Sequence, residues 1–260
     1  MNRPIALFDS GIGGLTVLQS VVEVLPNENY VYLADNAFFP YGVKSYHELE
    51  KRIKIITKYL VSLDAKAIVI ACNTASLHLE AIKKIAKIPV VDVITPTCNK
   101  VFGVTQNNKV CLLATDATVR SQRYQQILQN RGIDVVAVGC SDFVPLAENG
   151  SYESAWADDI ICQKLSGVTN ENFDTVILGC THFGLLKESI TQVLGNKIYV
   201  ECGVPTALYL RNILTNNNLL CNYGSVKLKV ITTAKSSISE SICNRFAFIF
   251  NDIVVEHIPL

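Results

Sequence analysis

Ala67-Ile68-Val69-Ile70-Ala71-Cys72-Asn73-Thr74 and Thr175-Val176-Ile177-Leu178-Gly179-Cys180-Thr181-His182 are the two stretches that decide the fold. Each is a continuous apolar run ending in a small residue, then a cysteine, then a polar helix starter. An uninterrupted run of this length suits a strand buried on both faces, which is the environment of a parallel sheet. The second stretch repeats the first roughly a hundred residues further on, about the size of one small domain. Two similar α/β domains, each carrying a cysteine just beyond a buried strand, are the reading that follows.

The rest of the chain fits that pattern. Strands are expected at Pro4–Phe8, Tyr30–Ala34, Ala67–Ala71, Val90–Val93, Lys109–Ala114, Val135–Val138, Thr175–Leu178, Lys197–Val200 and Leu228–Thr232. Amphipathic helices are expected at Tyr46–Ser62, Ser76–Lys87, Arg120–Asn130, Ala155–Leu165 and Leu185–Leu194. Thr95-Pro96 reads as an N-cap followed by proline at the first helical position, while Asn107-Asn108 and Asn216–Asn218 read as surface turns. Strands alternating with helices give parallel sheets covered on both faces.

The chain has 260 residues, 49% of them apolar, enough for a substantial core. It carries 23 basic and 23 acidic residues, so there is no global field to draw in nucleic acid or an anionic membrane. No apolar run has the length of a membrane span or signal segment. Nine scattered cysteines, an odd number without a CxxC pair, point to a reducing cytoplasm where a thiol can act as a catalyst.

In open α/β sheets ligands gather at the carboxyl ends of strands, and four polar clusters are expected there. Asp9-Ser10-Gly11-Ile12-Gly13-Gly14 is glycine-rich without the lysine of a nucleotide-binding loop, and its glycines permit close backbone approach. Cys72-Asn73-Thr74 and Cys180-Thr181-His182 each put a cysteine at a helix start, where a depressed pKa is expected. Asn73, Thr74 and Thr181 can cap a helix or hold a carboxylate, and His182 can exchange a proton with Cys180. Asp35-Asn36-Ala37-Phe38-Phe39-Pro40-Tyr41-Gly42 is an aromatic turn. None of the seven arginines falls within these clusters, so a carboxylate ligand would be held by backbone N–H, hydroxyl and amide groups. Cys98, Cys111, Cys140, Cys162, Cys202, Cys221 and Cys243 read as structural, and His47, His78 and His257 as surface or satisfied histidines. Pooling Cys72, Cys180, His182 and Asp9 around zinc would need a familiar short-range ligand spacing that is missing, so no metal is expected. A dicarboxylate-binding protein without turnover, or a two-cysteine enzyme acting on aspartate, also fits the residues.

Phe8-Asp9-Ser10-Gly11-Ile12-Gly13-Gly14-Leu15-Thr16-Val17, Pro40-Tyr41-Gly42, Ala71-Cys72-Asn73-Thr74-Ala75-Ser76 and Leu178-Gly179-Cys180-Thr181-His182 together resemble the glutamate racemases, in order over most of the chain. The resemblance implies two pseudo-symmetric flavodoxin-like domains, here 1–96 with 208–260 and 97–207, with the active site between them. It implies a cofactor-independent isomerase of the cytoplasm that supplies D-glutamate for peptidoglycan, with glutamate as its small-molecule partner and a homodimer as a compatible assembly. Carried over by motif, Cys72 serves the D face and Cys180 the L face. Asp9 assists Cys72, while His182 and Glu148 stand beside Cys180. Ser10, Tyr41, Gly42, Asn73, Thr74, Thr115, Thr118 and Thr181, with Asp9 and His182, match substrate contacts. Two positions depart from the pattern: Phe38 stands where relatives commonly carry Arg, and Glu201-Cys202 replaces Asp-Ser.

Overall fold

The computed structural model describes residues 3–148, 150, 154–221, 226–235, 244, 246, 247, 249, 250 and 252–260. The chain runs β1 (Ile5–Asp9), α1 (Leu15–Val24), β2 (Tyr30–Ala34), α2 (Tyr46–Ser62), β3 (Ala67–Ile70), α3 (Asn73–Ser76), α4 (Leu79–Ala86), β4 (Val90–Asp92), α5 (Ile94–Phe102) and β5 (Lys109–Ala114). It continues through α6 (Asp116–Arg120), α7 (Arg123–Gln129), β6 (Asp134–Gly139), α8 (Phe143–Glu148), α9 (Ala155–Leu165) and β7 (Thr175–Gly179). Then come α10 (Lys187–Leu194), β8 (Ile198–Glu201), α11 (Gly203–Asn216), β9 (Lys227–Thr232) and β10 (Asp252–His257).

The strands form two sheets, ordered β10-β9-β2-β1-β3-β4 and β6-β5-β7-β8, and every pairing in both is parallel. The orders β2-β1-β3-β4 and β6-β5-β7-β8 are the same winding used twice. In each, the chain goes from the central strand to one side and then crosses to the other. Such a reversal opens a crevice at the carboxyl ends of the two strands that flank it. Those strands are β1 and β3 in one sheet and β5 and β7 in the other, so Cys72 and Cys180 follow equivalent strands.

Each sheet is covered on both faces. Helices α1 and α11 pack on one face of the first sheet, and α2 and α4 on the other. Helices α8, α9 and α10 cover one face of the second sheet, and α5 and α7 the other. The chain therefore crosses over twice: α5 leaves the first sheet to pack on the second, and α11 leaves the second to pack against α1.

Several sequence expectations need correction. The helix expected at Ser76–Lys87 is two, because His78 leaves helical geometry between α3 and α4. The one expected at Arg120–Asn130 is also two, broken by the left-handed Gln122. Thr95 is not an N-cap: α5 starts at Ile94, and Asp92 Oδ2 accepts the N–H groups of Ile94 and Thr95 at 3.1 and 3.0 Å. Strand β10 was not foreseen, since its edge position leaves Val254 and Val255 exposed and breaks the apolar run. The capping box of Ser45 and Glu48 fixes the start of α2 where expected. Left-handed Asn108 and Asn218 turn the chain at the two Asn-rich sites.

Candidate active site

A cavity of about 280 Å³ lies at the carboxyl ends of the four crevice strands. Asp9 ends β1 and Ser10 follows it, Cys72, Asn73 and Thr74 follow β3, Thr115 follows β5, and Cys180, Thr181 and His182 follow β7. Tyr41 and Gly42, from the turn after β2, also line it, as do Ser141, Val144 and Pro145 after β6. Both cysteines, one from each sheet, thus share one mostly apolar chamber. Two expected site residues, the substrate contact Thr118 and the acidic residue Glu148, stand one layer back. Thr118 is fully buried behind Thr115, their hydroxyls 3.0 Å apart. Glu148, at the end of α8, reaches the cavity through His182.

The glycine loop abuts the second domain. A methyl group on Gly13 would sit 2.6 Å from His182 Nδ1 and from Thr181 Oγ1, and one on Gly11 would sit 2.7 Å from Glu148 Oε1. These glycines make room for the side chains of the second domain, and their φ angles are not left-handed. Asp9 bridges the same junction. Its Oδ1 accepts the Ser10 N–H and hydroxyl, and its Oδ2 accepts the Thr181 hydroxyl at 3.0 Å.

The caps expected of Asn73, Thr74 and Thr181 are not made. Tyr124 donates to Asn73 Oδ1 at 2.7 Å, Thr74 pairs with Thr115 at 3.0 Å, and Thr181 serves Asp9. Asp35 gathers the hydroxyls of Tyr41 and Thr233 at 2.8 Å each, together with the Arg52 guanidinium. Arg52 thus reaches the aromatic cluster from α2 but remains outside the cavity. At the departure Phe38, the ring lies under Lys44 Nζ at 4.7 Å and the Arg52 guanidinium at 5.6 Å.

The two cysteines sit in unlike surroundings. Burial, and then the charge of Asp9, push the Cys72 thiol well above its ordinary pKa. The N–H groups of Ala75 and Thr74 act the other way and lose. The depressed pKa expected of Cys72 at a helix start is therefore corrected: α3 has one turn, and desolvation outweighs what it offers. Cys180 Sγ lies 3.7 Å from His182 Nδ1, and His182 Nε2 lies 2.7 Å from Glu148 Oε2. Burial alone would lower the His182 pKa, but the hydrogen bonds with Cys180 and Glu148 outweigh it and raise it to about 10. Cys180 thus has a cationic imidazolium beside it at neutral pH. Burial also raises Asp9, against the pull of His182 and the hydroxyls of Thr181 and Ser10.

Of the remaining cysteines, Cys98, Cys111, Cys140 and Cys202 are buried, Cys162 is exposed, Cys221 is half-buried, and Cys243 lies outside the described residues. Cys202 lines a second cavity of about 320 Å³ that shares Cys180 and Thr181 with the first. His78 is buried with Nδ1 unpartnered, so it is neither a surface nor a satisfied histidine. Among the described residues no group of three or more His, Cys, Asp or Glu side chains is placed to hold a metal ion, and no helix is long and apolar enough to cross a membrane. Ser141, Val144 and Pro145 were missed as lining residues. The position of Ser141, two residues beyond the end of β6, was the signal available.

A sequence model of the Asp/Glu/hydantoin racemase family matches residues 10–207. A glutamate racemase of Lysinibacillus sphaericus is 36% identical over 251 residues, covering 95% of each chain. A glutamate racemase of a Carnobacterium strain is 35% identical over 266 residues, covering 100% of this chain and 99% of that one. Among solved structures, a glutamate racemase isoform of Bacillus anthracis superposes with a TM-score of 0.92 at 31% identity, covering 99% of this chain and 98% of that chain. The glutamate racemase of Francisella tularensis in complex with D-glutamate gives 0.90 at 32% identity, covering 98% and 97%. With two all-parallel sheets, paired cysteines and these likenesses over the whole chain, the protein belongs to the Asp/Glu/hydantoin racemase family.

Proposed function

We propose that this chain interconverts L- and D-glutamate by two-base proton transfer at Cα, with Cys180 serving the L face and Cys72 the D face. The observation that carries the reading is the pair of cysteines, set after the equivalent strands β3 and β7, lining one cavity from two sheets. The relatives named as glutamate racemases, one of them solved with D-glutamate, support the choice of substrate.

Inverting a carbon centre requires removing a proton from one face and returning one to the other, which two facing groups do and a single base does not. From L-glutamate, Cys180 as thiolate takes the Cα proton while the Cys72 thiol delivers its own to the opposite face. The reverse reaction needs Cys72 to have lost its proton. Burial makes Cys72 hold that proton tightly, so the empty site is set for the L-to-D direction. His182, cationic between Cys180 and Glu148, balances negative charge on the L side. Asp9 stands by Cys72. The remaining lining residues hold the two carboxylates and keep water from the weakly acidic Cα–H.

In this reading 1–96 with 208–260 form one unit and 97–207 the other; the crossovers at α5 and α11 support a division within a few residues of those bounds, since Ile94 already packs on the second sheet and Ala207 on the first. The cellular role is supply of D-glutamate for peptidoglycan in the cytoplasm; depletion of the protein should then make growth depend on added D-glutamate. The biochemical test is turnover of purified protein in deuterium oxide without added cofactor. Deuterium should enter Cα of the product, and Cys72→Ala or Cys180→Ala should each abolish inversion. Full racemase activity surviving either change would sink the two-base mechanism.

A further inference from the structure

Most hydroxyl hydrogens around the cavity are already committed to a neighbour. Ser10 and Thr181 donate to Asp9, and Tyr41 donates to Asp35. Thr74, Thr115 and Thr118 form a chain of hydroxyls 3.0 Å apart, whose two bonds use two of their three hydrogens. Ser141 stands outside these networks. Its Oγ accepts the Asp116 N–H at 2.8 Å, and among the described residues no acceptor takes its own hydrogen. It is half-buried and lines the cavity.

Ala114 of β5 lies in register with Gly139 of β6, so Thr115 and Ser141 emerge from adjacent strand ends. The Asp116 N–H fixes the Ser141 oxygen as an acceptor and polarises its O–H, strengthening it as a donor. No arginine or lysine lines this cavity, so the two carboxylates of a bound ligand depend on N–H and O–H donors. We infer that Ser141 is a substrate-binding residue whose hydroxyl donates to one carboxylate of the dicarboxylate amino acid. The inference rests on the glutamate reading and adds a contact that the family motifs did not supply.

The test is steady-state kinetics of Ser141→Ala and Ser141→Thr. Loss of one hydrogen bond to a charged group should raise KM for glutamate about tenfold in S141A, with a smaller effect on kcat. S141T, which keeps the hydroxyl, should recover most of that loss. A purely structural role, support of α6 through Asp116, is separated by inhibition with glutamine and isoglutamine, each lacking one carboxylate. The contact requires the S141A penalty to shrink for whichever analogue lacks the carboxylate that Ser141 holds. An unchanged KM, or an equal penalty for both analogues and glutamate, overturns the inference. Should S141A fold poorly, Ser141→Cys keeps the volume, loses the strong donor and carries the same expectation. If the unmodified chain turns over no glutamate, the functional reading fails and this inference with it. An active wild type with an unmoved S141A KM overturns Ser141 alone.

Discussion

Replacing Glu148 by Gln tests the electrostatics on the Cys180 side without changing shape. The carboxylate accepts from His182 Nε2 at 2.7 Å, and the two side chains are 16% and 3% exposed. A hydrogen bond to a charged partner contributes roughly 1.5–3 kcal/mol, and about 1.4 kcal/mol corresponds to one pKa unit. The His182 pKa, raised to about 10 in the wild type, should therefore fall by roughly one to two units. It should stay above the ordinary histidine value, because the Cys180 hydrogen bond and the Asp9 charge remain. Stability follows the same sign. A histidine with a raised folded-state pKa contributes stability that is fully present below the unfolded value of 6.5 and is lost as pH rises through about 10. In E148Q that loss should set in at lower pH. Nitrogen NMR of the His182 ring against pH reads the titration, and urea midpoints across the same range read the stability. Proton transfer on the L face should slow by about tenfold to a hundredfold. The deuterium effect with α-deuterated L-glutamate should grow more than that with the D isomer. An unmoved or higher His182 pKa in E148Q would refute the reasoning.

Three further outcomes are expected. Gly13→Ala places a methyl 2.6 Å from His182 Nδ1 and Thr181 Oγ1, so thermal unfolding should report a loss of about 1–3 kcal/mol and turnover should fall. Asp9→Asn removes the charge that holds Cys72 up; its thiolate ultraviolet absorbance should appear at lower pH than in the wild type, yet still above the ordinary thiol range, because burial is the larger cause. Lys66→Met leaves Glu28 buried without its cation and should cost about 3–5 kcal/mol by urea denaturation, whereas adding Glu28→Gln should restore much of it.

How much of this was legible beforehand depended on what each residue type encodes locally. Doubly buried parallel strands announce themselves, because both faces must be apolar, and Tyr30–Ala34 and Lys109–Ala114 fall on their observed bounds. Helix α2 was equally plain, since its cap and its periodicity agree. The helix breaks at His78 and Gln122 were hidden, because neither residue is a strong breaker. Strand β10 was hidden for the opposite reason: an edge strand needs no apolar run.

The site divides along a similar line. The cysteines could be found because they recur in a repeated context, and the shared β2-β1-β3-β4 and β6-β5-β7-β8 winding explains why a repeat in sequence becomes a pair facing one cavity. What recurrence could not reveal is that the halves are chemically unlike. Cys72 has a short helix start and a buried carboxylate beside it, and Cys180 has a histidine that a glutamate keeps charged. A thiol on one side and a cation-flanked sulfur on the other give the empty site a direction, although the reaction it is proposed to carry out has none. In the proposed reaction each L-to-D turnover leaves the proton on the Cys180 side, so a second turnover in the same direction requires the two sides to be reset by proton exchange, for which solvent suffices. The Asp9–Thr181 hydrogen bond joins the Cys72 side to the loop bearing Cys180, so the two unlike halves are tied together at the cavity itself.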